Sequence, residues 1–223
     1  MRSPDRFPSG PHRTDAQPPL MMRHVPASRP VLFGLVAVVC CGVDLYTKQR
    51  VFDTLGYEGV RSDWHQEWFD GAVRFELLTS FNGGALWGIG QGLSWLFASL
   101  SIVAALGVMW WLFVAGAARS LWLTLALALV TGGALGNLYD RLGLHGCTYP
   151  PPHQDEVRLA VRDFLLFEFG GWGWPVFNFA DVFLVTGAVM LALQSLAPPR
   201  EEAEAESAER TDHPAGVAAP TGG

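Results

Sequence analysis

The sequence predicts an α-helical polytopic membrane protein: four transmembrane helices with a small extracytoplasmic β-rich cradle and loop. Three observations carry this. Half of the 223 residues are hydrophobic and only 16% are charged, whereas soluble domains carry about a quarter charged residues. Long apolar runs recur four times, at about residues 30–48, 93–118, 120–139 and 179–197. Between them lie stretches that alternate apolar and charged residues, the period of a half-buried strand.

The first run, Val31 to Val43, holds thirteen residues, too few at 1.5 Å each for about 30 Å of hydrocarbon. Extending it through Asp44 to Thr47, with Lys48 reaching outward, gives a workable span. Asp44 and Lys48 are four apart and can pair on one helical face. Two readings stand side by side: a self-neutralising pair that ends the helix, or a direct functional role. The Arg-bearing start, apolar core and Cys40 also resemble a cleavable leader. Val39 is too bulky for the small residue expected before a modified cysteine, so the first span is read as a retained anchor.

In the outer stretch 49–92, Ala72 to Leu77 reads as a strand with one face buried, and Trp64, Trp68 and Phe69 suit the headgroup region. The segment Phe81-Asn82-Gly83-Gly84-Ala85-Leu86-Trp87-Gly88 combines flexible backbone with an amide side chain; alone, it would pass for a structural turn. Leu93 to Ala118 is free of charge and is the clearest span. Arg119 lies in a short turn, and Leu121 to Tyr139 follows without a charge. This third run ends in Thr131-Gly132-Gly133-Ala134-Leu135-Gly136-Asn137-Leu138-Tyr139-Asp140-Arg141. Its glycines permit close helix packing, while Asn137, Asp140 and Arg141 are read as projecting from one face, with Asp140 and Arg141 as a buttress.

The second outer stretch, 140–178, begins with a Pro-rich loop whose His145, His153 and Glu156 do not form a zinc-protease pattern. Val157, Leu159 and Val161 alternate with Arg158, Ala160 and Arg162, a strand signal leading to Asp163. Trp172, Trp174 and Phe177 read as an interfacial belt. Pro175 stops earlier helix growth, Asn178 is a cap for the last helix, and Asp181 shares its face.

Charge and cysteines exclude several classes. The net charge of −6 comes largely from an acidic tail, 198–223, read like the Arg-bearing arm 1–29 as disordered. No basic stripe with interleaved aromatics suggests nucleic acid. Cys40, Cys41 and Cys147 form no disulfide or metal framework, and no metal or cofactor is expected. Four spans put both termini on one side, and five N-terminal arginines suggest that this side is the cytoplasm. Asp44, Asn82, Asn137, Asp140, Arg141, Asp163, Asn178 and Asp181 then converge near the outer face. Carboxylates there are expensive, roughly 2.5–3.5 kcal/mol each at a helix centre. Two of them close together share a proton, so one can take a proton from water while the other donates to a carbonyl oxygen. A nucleophilic serine fares worse, since Ser94 lacks the glycines of a nucleophile elbow.

These motifs carry a family resemblance. Asp44-Leu45-Tyr46-Thr47-Lys48, Asn82 to Gly88, Gly132 to Arg141, Val161-Arg162-Asp163-Phe164 and Phe177-Asn178-Phe179-Ala180-Asp181, in that order, resemble bacterial lipoprotein signal peptidase. The resemblance implies an intramembrane aspartic endopeptidase over residues 30–197. It would cut prolipoproteins on the N-terminal side of a diacylglyceryl-modified cysteine, within the inner membrane and among its lipids, as a monomer. The family's two catalytic aspartates map to Asp163 and Asp181. Asp44, Lys48, Asn82, Gly84, Asn137, Asp140, Arg141, Asn178 and Ala180 match positions that support the site or bind substrate. The sequence itself leaves Asp140 a rival to Asp163. The chain departs from the family in Gly83, in Leu86 and in a lengthened 142–160 loop, which bears on how the site is covered. The competing class is a four-helix scaffold or small transporter, disfavoured because Leu93–Ala118 offers only Ser94, Ser99 and Ser101 as polar groups.

Overall fold

A computed structural model of the chain describes residues 26–84, 90, 92–115, 118 and 120–196. The arm before residue 26, the acidic tail, Ala85 to Gly88 and Arg119 lie outside the described residues. Four helices are long and apolar enough to cross a membrane. They are α1 (Ser28–Leu55), α2 (Ser94–Met109, continued by a π-helical turn, Trp110–Val114), α3 (Leu121–Arg141) and α4 (Phe179–Leu196).

Helix α3 is the central one. Half of its most apolar stretch is buried, against 22% or less in the other three. Close packing follows from its small residues. A Cβ on Gly132 would lie 2.7 Å from the Ala37 carbonyl oxygen of α1, and one on Gly133 would collide with the Ala180 carbonyl of α4. Without side chains at these points, both neighbours approach the α3 backbone, which is how helices associate where lipid removes the hydrophobic drive. The outward faces carry Val31, Val38, Leu106, Val114 and Leu193, all well exposed, as befits surfaces solvated by acyl chains.

At one end of the bundle sits an antiparallel sheet in the order β1 (Arg61–Trp68), β2 (Val73–Asn82), β3 (Val161–Phe169) and β4 (Trp172–Gly173). Aromatic packing fastens it to the helices. Phe52 of α1, Phe164 and Leu165 form a buried cluster, with Phe81, Phe177 and Phe179 against it.

Several local expectations change. Helix α1 does not end at Lys48 but runs on to Leu55, because Asp44 and Lys48 are satisfied by tertiary partners rather than by water. In β2 the buried residues are Glu76 and Thr79. Glu76 is 1% exposed and lies between the guanidiniums of Arg61 and Arg74, which neutralise it. The strand leading to Asp163 begins only at Val161, and Arg162 is as buried as its apolar neighbours. Strand β1 lacks alternation because it is an exposed edge. Phe177 packs under the sheet, 6.1 Å from the Phe167 ring, while Trp172 and Trp174 stay exposed.

Candidate active site

The site is assembled at the first turn of α4. Asn178 is its N-cap: the Asn178 side-chain oxygen accepts from the Asp181 N–H at 3.0 Å. Asp181 reciprocates, accepting from the Asn178 N–H at 3.2 Å. This is a capping box, which satisfies two N–H groups the helix would otherwise leave bare. The Ala180 N–H is taken by Asp44 Oδ1 at 2.8 Å, a carboxylate delivered from α1. Negative charge beside a helix N-terminus is favourable. Ala180 is fully buried, and its part is played by its backbone.

Asp163 arrives from the sheet. In the β2–β3 register Ser80 faces Asp163 and Asn82 faces Val161, so Asn82 and Asp163 point to the same side. Asn82 Nδ2 donates to Asp163 Oδ2 at 3.1 Å, and Asn178 Nδ2 donates to Asp163 Oδ1 at 2.6 Å. The Asn82 oxygen accepts from the Gly84 N–H at 3.0 Å, which fixes the amide's orientation. Asp181 receives a second donor, Asn137 Nδ2 at 2.9 Å. Asp163 is 2% exposed. Burial first, and the Asp181 charge second, push its carboxyl up to about 8, overcoming the amide hydrogen bonds and Lys48, which favour the ionised form. Asp163 therefore holds a proton at neutral pH.

Both aspartates line one cavity of about 510 Å3, together with Asn82, Asn137 and Arg141. Its other wall is apolar and includes Val182 and Val185 of α4. Polar groups and apolar side chains thus line the same cavity, an arrangement suited to a ligand with a polar group and a greasy flank.

Behind the cavity lies a buried set of charges. The Lys48 ammonium donates to Asn137 Oδ1 at 2.8 Å and pairs with two carboxylates, Asp44 Oδ2 at 2.7 Å and Asp140 Oδ2 at 3.3 Å. Asp140 also binds Arg162: Oδ1 accepts from Nη2 at 2.9 Å and from Nε at 3.1 Å, and Oδ2 from the backbone N–H at 2.9 Å. Gln49 takes the remaining guanidinium edge at 3.0 Å. Asp44, Lys48 and Asp140 are fully buried and Arg162 is 1% exposed. Two acids and two bases balance. Gly136 makes room for this set, since a Cβ there would strike the Asp44 carboxylate.

Of the residues singled out in the sequence, Asn82, Gly84, Asn137, Arg141, Asp163 and Asp181 border the cavity. Asp44, Lys48, Asp140, Asn178 and Ala180 form the layer that holds them. The expected Asp140–Arg141 buttress is not formed. Adjacent helical residues point about 100° apart, so Asp140 turns to Arg162 and Lys48 while Arg141 turns to the cavity. The Arg141 guanidinium lies 5.5 Å from the Phe97 ring centre, and its buried Nε has no hydrogen-bond partner among the described residues. From the sequence Arg162 looks like one charge in an alternating strand. The available signal was its place beside Asp163, but its partner Asp140 is 22 residues away. Among the described residues no three His, Cys, Asp or Glu side chains group as metal ligands would.

Comparison with known proteins converges on one family. A family model described as signal peptidase (SPase) II matches residues 36–197. A lipoprotein signal peptidase of Rhodopirellula baltica is 40% identical over 197 residues, covering 87% of this chain and 85% of that protein. One from Bacillus pumilus is 37% identical over 122 residues, 55% of this chain and 69% of its own. Two solved structures of bacterial membrane enzymes are similar in fold. The first has a TM-score of 0.58 and 25% identity, covering 74% of this chain and 88% of the other. The second has a TM-score of 0.57 and 26% identity, covering 76% and 95%.

Proposed function

The chain belongs to the signal peptidase II family, and on that premise we propose that Asp163 and Asp181 are its catalytic pair. The protein is a bacterial multi-pass membrane protein and an aspartic-type peptidase that removes signal peptides from prolipoproteins. The observation that carries the residue assignment is the shared amide: Asn178 gives its side-chain N–H to Asp163 and its backbone N–H to Asp181, both on one cavity.

Asp181 accepts an N–H donor on each oxygen and sits in the first turn of α4. Asp163 carries a proton at neutral pH. Asp181 takes a proton from a water, and the resulting hydroxide attacks the scissile carbonyl carbon. The Asp163 proton passes to the carbonyl oxygen, giving a neutral gem-diol. Asp163, now ionised, recovers a proton from one diol hydroxyl as the carbonyl re-forms. The C–N bond breaks in that same collapse, the departing nitrogen taking the proton held by Asp181. Protons balance, and both groups return to their starting states.

Asn82 and Asn178 hold Asp163, and Asn137 holds Asp181. The buried Asp44–Lys48–Asp140–Arg162 set fixes the elements that carry them. Arg141, whose Nε has no partner among the described residues, borders the cavity and faces substrate. The apolar wall at Val182 and Val185 receives the signal peptide or the acyl chains of the modified cysteine. Cleavage falls on the N-terminal side of that cysteine. The sheet and site lie on the outer side of the inner membrane, with both termini cytoplasmic. One chain supplies every site residue, consistent with a monomer surrounded by lipid. The purified protein should cut a diacylglyceryl-modified prolipoprotein and leave the unmodified precursor largely uncut, with mass spectrometry locating the bond. Equal rates on the two would overturn the proposed specificity.

A further inference from the structure

A second cavity, of about 500 Å3, lies on the other side of segment 81–84 from the aspartates. Alternation along the chain makes the division: Asn82 and Gly84 border the aspartate cavity, Phe81 and Gly83 border this one. Its walls also include Glu58, Trp95, Tyr149 and Arg158. The last two belong to a hairpin in the loop between α3 and β3. That hairpin is closed by the Thr148–Val157 bridge, by Tyr149 N–H to the Glu156 carbonyl at 3.1 Å and by Arg158 N–H to the Cys147 carbonyl at 2.9 Å.

Arg158 is built in. Its guanidinium lies 4.4 Å from the Phe81 ring centre and 4.8 Å from that of Tyr149, and Nη1 donates to Glu58 Oε2 at 2.6 Å. The side chain is 9% exposed, and its buried Nε has no acceptor among the described residues. A buried N–H left without a partner is unfavourable, and a carbonyl oxygen entering the cavity would satisfy it. Aromatic walls beside a free donor suit an extended peptide, which offers backbone carbonyls and apolar side chains alternately.

Resting on the peptidase reading, we propose that this cavity receives the substrate segment that follows the cleaved bond. The aspartate cavity has two ends. One is bounded by Val182 and Val185 within a membrane span, the apolar destination of the signal peptide. The other is the 82–84 rim, across which the second cavity opens beside the sheet, the hairpin and the first turn of α2. A polypeptide held across the aspartates with its signal segment at the first end leaves over the rim. The hairpin thus adds a binding site for the mature part of the precursor, separate from recognition of the lipid.

Kinetics on two diacylglyceryl-modified substrates test this, one with a long mature segment and one truncated just after the modified cysteine. Wild type should show a several-fold lower KM for the long substrate. Tyr149→Ala and Trp95→Ala, on different elements, should each raise that KM about five-fold, the scale of a contact that matters in a binding interface. Neither should change kcat or the kinetics of the short substrate, and Tyr149→Phe should behave as wild type. Equal KM values for the two substrates in wild type would overturn the proposal. So would variants that alter both substrates alike, or that alter neither. If wild type cleaves neither substrate, the peptidase reading itself falls, a result distinct from cleavage of both with equal KM.

Discussion

Replacing Arg162 by methionine puts the buried charge set to a quantitative test. The substitution keeps an apolar stem of similar length but removes the two guanidinium bonds to Asp140 Oδ1, at 2.9 and 3.1 Å, and the bond to Gln49. A fully buried carboxylate is left with Lys48 at 3.3 Å and one backbone N–H. Breaking one side of a buried ion pair destabilises by about 3–5 kcal/mol. Because those two partners survive, the lower end applies, about 3 kcal/mol, a large part of a total stability of about 5–15 kcal/mol. Asp140→Asn alone leaves the opposite imbalance, with Arg162 and Lys48 sharing only Asp44. The double variant Asp140→Asn/Arg162→Met restores neutrality around the 2.7 Å Asp44–Lys48 pair. It should therefore be more stable than the sum of the single losses implies, by about 2 kcal/mol. Reversible unfolding in detergent micelles, followed by tryptophan fluorescence, measures all four corners of the cycle. Losses that add within about 0.5 kcal/mol would show that the four charges do not act as a set.

Three other outcomes follow from the geometry. Raising the pH through about 8 should strip the proton from Asp163, so kcat/KM should fall about ten-fold per pH unit beyond it; a flat profile to pH 10 would refute the protonated Asp163. The same group affects stability. Its carboxyl is raised in the fold from 3.8 to about 8, so the folded state binds a proton the unfolded chain has lost. The stability this lends is complete below pH 3.8 and is lost as pH rises through about 8. Asp163→Asn should remove that dependence and melt above wild type at pH 9 while being inactive; parallel melting curves across pH would contradict it. Gly136→Ala would drive a methyl into the Asp44 carboxylate, and should lower stability by about 1–3 kcal/mol and reduce kcat, measured by thermal unfolding and turnover.

What the sequence makes legible here depends on whether the cause is local. The four spans announce themselves because lipid demands long apolar runs, and the Asn178 cap because a helix start has its own chemistry. The continuation of α1 past Lys48 is hidden, because Gln49, Arg50 and Asp53 look like a solvated loop. Gln49 is helical there while reaching Arg162, and Phe52 while packing beneath the sheet. Glu76 and Arg162 look like the wet face of a strand, yet each is buried against partners distant in sequence. Period alone cannot separate a solvated charge from a neutralised one. Asp140 and Arg141 read as a unit because they are neighbours in the chain, whereas the helix turns them to opposite tasks. The motif order marked out the residues that meet around the cavity, but which of them touch it and which hold the others from behind became visible only with the Asp140–Arg162 clasp.

Turnover of a diacylglyceryl-modified prolipoprotein by the purified protein, compared with Asp163→Asn, Asp181→Asn and Asp140→Asn, tests the central claim most directly. The catalytic pair predicts that the first two lose at least about 10²–10⁴-fold in kcat while remaining folded, and that Asp140→Asn keeps measurable turnover at reduced stability. Undiminished turnover in Asp163→Asn or Asp181→Asn would contradict the assignment, and complete loss confined to Asp140→Asn would move the chemistry to that residue.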